Sequence, residues 1–270
     1  MNYKLLVPTY RTRHRFVDVA LTRAAARRPL GRVLNLGSGE GDYDRAIKRV
    51  CRELHSCDVN ASDVAFARAA NAGVDGIHYA VEDGEALRYQ DGFFDVVVCV
   101  EVVEHVSDAR RLLSEIARVL APDGTAIVTC PNESFPVSYD PVNRALRDFG
   151  VHLPIGAYAY GHTRLVEEGA MRAWLEQVGL AVTETRRLSK RLVGMLECYW
   201  PSVLQSVLKA NAENRRGSAE STGKRGFAMR PSSGDPPLLG LIDRLIDLDA
   251  SLFEADVRSV GLGFVAVRSG

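Results

Sequence analysis

The sequence predicts an α/β protein with a doubly wound, mostly parallel seven-stranded sheet and a helical insertion before the last strand. Three observations predict it. Apolar runs alternate with helical patterns along most of the chain, as βαβ units require. The run Phe94-Asp95-Val96-Val97-Val98-Cys99-Val100 is almost continuously apolar and β-branched, which suits a strand covered on both faces. Residues 33–43, Val-Leu-Asn-Leu-Gly-Ser-Gly-Glu-Gly-Asp-Tyr, pass from an apolar strand through three alternating glycines into a helical pattern. Without Cβ atoms, Gly37, Gly39 and Gly41 allow a sharp strand-to-helix turn and close approach of a ligand to the backbone amides.

Taken in order, residues 10–28 read as a basic amphipathic helix whose arginines form a solvated face. Strands follow near 32–37, 53–58, 77–81, 94–100 and 125–130, with helices between them. Ala121-Pro122-Asp123-Gly124 reads as a turn, with Pro presetting φ and Gly accepting φ > 0. Residues 165–179 form a helix with Met171, Trp174, Leu175 and Val178 on one face, which places Trp174 in the core. Residues 180–188 and 260–268 alternate apolar with polar, as an antiparallel hairpin at the sheet edge would. Between them, two apolar stripes flank a polar tract rich in Gly, Ser, Pro and charge. Leu192, Met195, Leu196, Tyr199, Trp200, Val203, Leu204 and Leu208 make the first; Leu238 to Leu252 carry the second. The expected organisation is an N-terminal helical segment (1–29), a core (30–189), a helical cap insertion (190–258) with a mobile centre at 211–235, and a last core strand (259–270). The stripes pack on each other, cover a substrate mouth, or touch a lipid peripherally.

Composition narrows the function. A chain of 270 residues, 46% hydrophobic, can bury one large core. Its 34 basic and 34 acidic residues cancel, so no global field recruits nucleic acid. Cys51, Cys57, Cys99, Cys130 and Cys198 show no C-x-x-C spacing and read as small apolar residues of a reducing compartment. No stretch approaches about 18 uninterrupted apolar residues, so a soluble, cytoplasmic protein is the expectation.

The cofactor signals fall at strand ends. Asp58 ends the second strand about 20 residues after the glycines, where a carboxylate takes a ribose diol. Asp83 follows the third strand, and Glu101 the fourth. A dinucleotide loop would want glycine at position 42, which is Asp42, so a mononucleoside is expected. Together VLNLGSGEG, CDVN, VEDGEAL, FDVVVCVEVVEHV and LAPDGTAIVTCPN resemble the motifs of class I S-adenosylmethionine (SAM) dependent methyltransferases, closest to the ubiquinone-type O-methyltransferases, over roughly residues 30–190. The resemblance implies a Rossmann-like methyltransferase fold. It also implies that Gly37, Ser38 and Gly39 line the methionine side, with Gly41 also in the cofactor loop, Asp58 the ribose, Asp83 with Gly84 the adenine, and Cys99, Val100 and Glu101 the reactive end. Two residues depart from the family pattern. Asn35 stands where Asp is usual, keeping an acceptor but no charge for the cofactor's amino group, and Arg88 stands where relatives often have Pro.

Methyl transfer to a hydroxyl needs alignment and removal of a proton. Candidates cluster at Glu101-Val102-Val103-Glu104-His105, just past the fourth strand. His105 can act as an unaided base, an imidazole's ordinary pKa of about 6.5 lying near working pH, while Glu104 and His105 can also merely support the helix start. Alternatively Glu101, Glu104, His105 and the distant His162 hold a divalent cation, Mg²⁺ first and Mn²⁺, Fe²⁺ or Zn²⁺ next, that binds an acceptor through two adjacent oxygens. Both the ubiquinone-type enzymes and the small-RNA 3′-terminal 2′-O-methyltransferases look similar in this E-x-x-E-H pattern with a later histidine, and the resemblance implies metal-assisted attack. The expected activity is SAM-dependent O-methylation of a small molecule carrying a hydroxyl or vicinal diol: a sugar, glycolipid or catechol-like ring. Metal-independent C- or N-methylation, a non-catalytic SAM-binding protein and RNA 3′-end methylation are the alternatives, the last disfavoured by neutral charge. His14, His55, His78 and His152 have no partner in sequence that marks them. The acceptor and oligomeric state are not encoded in any motif.

Overall fold

The computed structural model describes residues 3–134, 141–146, 149–151, 153, 164–198 and 238–269. One compact unit comprises His14–Cys130, Glu168–Arg186 and Gly263–Gly270; the other comprises Met1–Arg13, Pro131–Glu167 and Arg187–Leu262. His162 and the 211–235 tract, on which two sequence expectations rest, lie outside the described residues.

Seven strands make one sheet: β1 (Leu30–Leu36), β2 (Cys51–Asp58), β3 (Ile77–Val81), β4 (Phe94–Val100), β5 (Leu120–Pro131), β6 (Leu180–Leu188) and β7 (Gly261–Arg268), in the order β3-β2-β1-β4-β5-β7-β6. The five strands β1 to β5 run parallel. Hydrogen bonds from Ser269 N to Gly179 O and from Val260 N to Ser189 O pair the far ends of β7 and β6, which makes that pair antiparallel, as the alternating pattern predicts. Chain order reverses between β1 and β4, the switch point at which open parallel sheets bind ligands.

Helices α1 (Pro8–Arg27), α2 (Asp44–Lys48), α3 (Ala61–Ala70), α4 (Ala109–Val119), α5 (Pro141–Leu146), α6 (Glu168–Gln177), α7 (Arg191–Cys198) and α8 (Leu239–Leu252) complete the described elements. Local chemistry explains their starts. The Asn60 side chain accepts from Ser62 N at 3.0 Å, and Asp108 accepts from Arg110 N and Arg111 N at 3.0 and 3.1 Å, capping α3 and α4 at about 1 kcal/mol each. Helix α4 then buries Leu112, Leu113, Ile116 and Val119, a spacing of three and four that puts one face on the sheet. At about 1.5–3 kcal/mol for each fully buried side chain, this face contributes far more than the cap. Between β2 and β3 the same logic holds, with Val64 and Ala67 buried on α3.

Three sequence expectations change. The 121–124 turn lies inside the β5 span as an irregularity, Phe94 pairing with Leu120 but Val96 with Thr125. Its positive φ falls on Asp123 (59°), not on Gly124. Gly124 is needed for space instead, because a Cβ there would come within 2.7 Å of Ala121 O. Trp174 is half-buried, with the Arg110 guanidinium 5.9 Å above its ring, because α6 presents only Met171 and Leu175 fully to the interior. Arginines of α1 are not simply solvated. Arg11 grips Asp243 through two bonds of 2.8 and 2.9 Å, Arg23 pairs with Glu184 at 2.7 Å, and Arg28, just past the helix end, pairs with Asp95 at 3.2 Å.

In the second unit, α7 and α8 pack together, which is the self-packing alternative for the described parts of the two stripes. The Asp249 carboxylate on α8 accepts from Lys190 N at 2.6 Å and Leu192 N at 2.8 Å, so α8 caps the start of α7. Met195 and Leu196 of α7 and Leu241, Leu248 and Leu252 of α8 are exposed.

Candidate active site

The register aligns the strand ends that carry the predicted residues. Leu36 pairs with both Cys57 and Cys99, and Asp58 pairs with Val81, so the segments after β1, β2, β3 and β4 emerge on one edge. Gly37 N and Ser38 N both donate to Cys57 O at 2.9 Å, which folds the glycine loop over the end of β2. Asp58 completes the turn. Its Oδ2 accepts from Gly39 N at 2.8 Å and its Oδ1 from Asn60 N at 2.9 Å.

The three glycines have different reasons for lacking a Cβ. At Gly37 (φ +71°) a Cβ would fall 2.3 Å from Val102 Cγ2, so the loop after β4 lies directly against the glycine loop. At Gly41 (φ +78°) it would come within 2.6 Å of Asp44 Oδ2 and 2.9 Å of the Ala67 Cβ, a packing reason. At Gly39 (φ +52°) it would meet nothing within 4 Å: this is the open position. Beside it Ser38 is 8% exposed, and its Oγ is buried with no hydrogen-bond partner among the described residues. An open cradle, a buried hydroxyl awaiting an acceptor or donor, and a carboxylate at the next strand tip fit a nucleoside cofactor with a polar tail.

The adenine-side loop is tied down by side chains. Asp83 is exposed, and its Oδ1 accepts from Glu85 N at 2.9 Å, while a Cβ on Gly84 would strike Leu112 Cδ1 at 2.7 Å. Glu85 reaches across to Ser107 N (2.7 Å) and Ser107 Oγ (2.8 Å), fixing the loop to the start of α4. Partial burial raises the Glu85 pKa, but these bonds outweigh it and hold the carboxyl below its ordinary range. Arg88, the second departure from the family pattern, pairs with the buried Glu82 at 3.0 Å and donates to Val81 O at 2.7 Å. An ion pair thus closes the loop where a proline ring would stiffen it.

Asn35, the first departure, has another partner. It is buried, and its Nδ2 donates to Asp44 Oδ1 at 2.8 Å. Asp44 is fully buried and also accepts from Ser56 Oγ at 2.8 Å and Tyr79 OH at 2.8 Å, while Asn71 Nδ2 donates to the Tyr79 oxygen at 3.0 Å. Burial pushes the Asp44 pKa up against the pull of these donors. Burial and the Asp44 charge likewise push the Tyr79 phenol up. A neutral residue at 35 is therefore what the buried carboxylate at 44 requires, and this role of Asn35 in the core was not visible in the sequence.

The reactive end is unevenly exposed. Cys99 is completely buried; burial, then the nearby Glu104 charge, push its thiol well up, which makes it packing and not a nucleophile. Glu101 follows Val100 with φ 55°, a conformation a non-glycine residue holds only at a cost, and its Oε1 accepts from Thr129 Oγ1 at 2.9 Å. Glu104 is fully buried, whereas the His105 side chain is 42% exposed, its Nε2 lying 3.9 Å from Glu104 Oε1. Among the described residues, the metal-type side chains whose ligand atoms all lie within 4.8 Å of one another are Glu53, His55 and His78, a group the sequence did not mark. Burial, then the neighbouring His78, push His55 down to about 4. The only sequence signal that could have found this pair was strand register, since His55 and His78 lie 23 residues apart and meet only when β2 pairs with β3.

Residues 34–128, which hold every described element of this edge up to β5, match the family described as a methyltransferase domain. Residues 34–128 therefore carry a methyltransferase domain. The chain is 30% identical over 167 residues to a ubiquinone biosynthesis O-methyltransferase of Chelativorans sp., covering 57% of this chain and 60% of that protein. It is 31% identical over 132 residues to a ubiquinone/menaquinone biosynthesis C-methyltransferase of Vibrio vulnificus, covering 47% and 50%. The match therefore spans 60% or less of these relatives' own lengths. Among solved structures, phosphoethanolamine N-methyltransferase 2 of Haemonchus contortus in complex with SAM shares the fold, with a TM-score of 0.57 at 17% identity over 94% of this chain and 52% of that one. No helix among the described residues of this chain is long and apolar enough to cross a membrane.

Proposed function

We propose that the chain is a SAM-dependent O-methyltransferase that acts on a hydroxyl of a small-molecule acceptor, a sugar, a glycolipid or a catechol-like ring. SAM, when bound, supplies a methyl group already activated on sulfonium sulfur. The residues proposed to hold it are Ser38 and the open Gly39 at the glycine loop, Asp58 for the ribose diol, and the Asp83–Gly84 loop for the base, with Cys99, Val100 and Glu101 contributing backbone at the reactive end. The observation that carries the oxygen-acceptor reading is the pair of an exposed His105 imidazole and a fully buried Glu104 carboxylate, with Nε2 and Oε1 3.9 Å apart, on the loop whose Val102 abuts Gly37. In this arrangement His105 takes the acceptor hydroxyl's proton at Nδ1, and the carboxylate near Nε2 stabilises the imidazolium that results.

The metal-assisted form of the same reaction would draw on Glu101, Glu104, His105 and His162, with Mg²⁺ the first candidate. Glu101 is engaged with Thr129, so the unaided base is the simpler reading. C-methylation is the rival with a relative behind it. One experiment separates these: a panel of diol, catechol and carbon-acid acceptors assayed by coupled homocysteine release, with and without excess chelator. Methyl on oxygen, with a His105→Gln loss of about 10²–10⁴ in kcat and unchanged SAM affinity, is the expected result. Carbon-methylated product, or a His105→Gln variant of full activity, rejects the base assignment. Loss of activity in chelator that Mg²⁺ restores would transfer the role to the metal.

A further inference from the structure

We propose that Glu53, His55 and His78 form a site for a borderline divalent transition-metal ion of the Zn²⁺ class, on the outer strands of the sheet and separate from the methyl-transfer residues. Glu53 and His55 are two apart on β2 and therefore point to the same face, and the parallel register sets His78 of β3 directly opposite His55. The rings are 4.8 Å apart between centroids, and one ligand atom from each of the three side chains lies within 4.8 Å of the others. Bonds of about 2.0–2.2 Å at tetrahedral angles set donor atoms roughly 3.4 Å apart, so rotamer changes that draw the donors together by about 1.4 Å at most bring all three onto one ion. Two imidazoles and one carboxylate are the donor set that Zn²⁺, Co²⁺, Ni²⁺ and Cu²⁺ prefer, whereas Mg²⁺ and Ca²⁺ prefer oxygen alone. A fourth position is left for water.

The surroundings suit such an ion. Tyr89, Phe93 and Phe94 meet the His55 ring edge-on at 5.5, 5.4 and 5.3 Å, which fixes its orientation before an ion arrives. His78 is exposed and the Glu53 side chain is 35% exposed, so an ion can enter from solvent. Two cations compete: Arg52 holds Glu53 at 3.1 Å from a side chain that is 76% exposed and able to swing away, and Arg32 is occupied over the Phe93 ring at 4.0 Å. An ion here would clamp the edge strand β3 to β2. Asp58 ends β2 three residues beyond His55, and β3 leads into Asp83, so occupancy would stiffen the two strand tips assigned to the nucleoside.

Zn²⁺ and Co²⁺ titrations of the full chain, followed by calorimetry, thermal melting and Co²⁺ visible absorption, test the site. One high-affinity equivalent with a micromolar or lower Kd is expected. A hundredfold excess over Kd should raise the melting midpoint by about 5 °C. His78→Gln and Glu53→Gln, both at accessible positions that spare the core, should each weaken Zn²⁺ at least tenfold and cut the midpoint shift by about half or more, while His105→Gln should change neither. Absence of binding at 100 μM Zn²⁺, on the order of a weak adventitious contact, would overturn the proposal. So would affinity that is unchanged in both His78→Gln and Glu53→Gln.

Discussion

Replacing Asn35 by Asp restores the residue the family pattern favours, and the structure predicts that this harms the protein. Asn35 Nδ2 donates to Asp44 Oδ1 at 2.8 Å inside the core, so the substitution turns a donor into a second carboxylate beside the first. With charge centres about 4 Å apart and an effective dielectric near 20, repulsion between the two ionised groups is about 4 kcal/mol, equivalent to about three pKa units. The pair will therefore retain one proton that the unfolded chain releases. Asp44 already has a raised folded pKa, and a second carboxylate raises the pair's further. The sign follows from linkage: where the folded state binds more protons than the unfolded state, stability falls as pH rises from the unfolded carboxylate value up through the folded one. The cost of Asn35→Asp should thus be about 1–2 kcal/mol at pH 5 and about 4 kcal/mol at pH 8. Urea denaturation at both pH values measures it. The double variant Asn35→Asp with Asp44→Asn moves the charge back to position 35 and should recover most of the loss, a coupling that a double-mutant cycle reads directly. A pH-independent cost, or a double variant no better than the single, would refute the view that positions 35 and 44 share one buried charge.

Two glycines of the same loop should separate folding from cofactor binding. Gly37→Ala drives a methyl into Val102 at a positive φ and should destabilise the fold by about 3–5 kcal/mol. Gly39→Ala meets no atom of the described residues within 4 Å and should cost only about 1–2 kcal/mol of backbone strain, yet weaken SAM at least tenfold in calorimetry. Asp58→Ala removes the acceptor for Gly39 N as well as the proposed ribose contact, so SAM affinity should drop by about 1.5–3 kcal/mol; unchanged affinity would reject the ribose assignment. Asp249→Ala uncaps α7 and should lower the local stability of residues 191–198 by about 2–3 kcal/mol in amide exchange, with SAM affinity unaltered. Deleting 211–235, whose composition lacks the apolar surface to build a core, should leave SAM binding intact, and general unfolding of that variant would show the insertion to be integral.

By itself the sequence determined what depends on short-range chemistry. Continuous β-branched runs can only be buried strands, so Phe94–Val100 was legible at both ends. The glycine loop and Asp58 were legible because a turn, a close approach and a strand-tip carboxylate each demand particular residue types at fixed spacing. The E-x-x-E-H run was legible as chemistry, but the split between a buried Glu104 and an exposed His105 was not, since one strained residue, Glu101 at φ 55°, redirects the chain after β4. Tertiary structure alone decided the rest. Asn35 looked like a weakened cofactor ligand until packing set it against Asp44, a buried carboxylate that also accepts from Ser56 and Tyr79. Asp123 took the left-handed turn position because β5 had to rejoin the β4 register across extra residues. His55 and His78 carry no mark of one another in a linear chain, for strand pairing is non-local: which residues face each other is fixed by the order and register of the whole sheet, which no local spacing encodes.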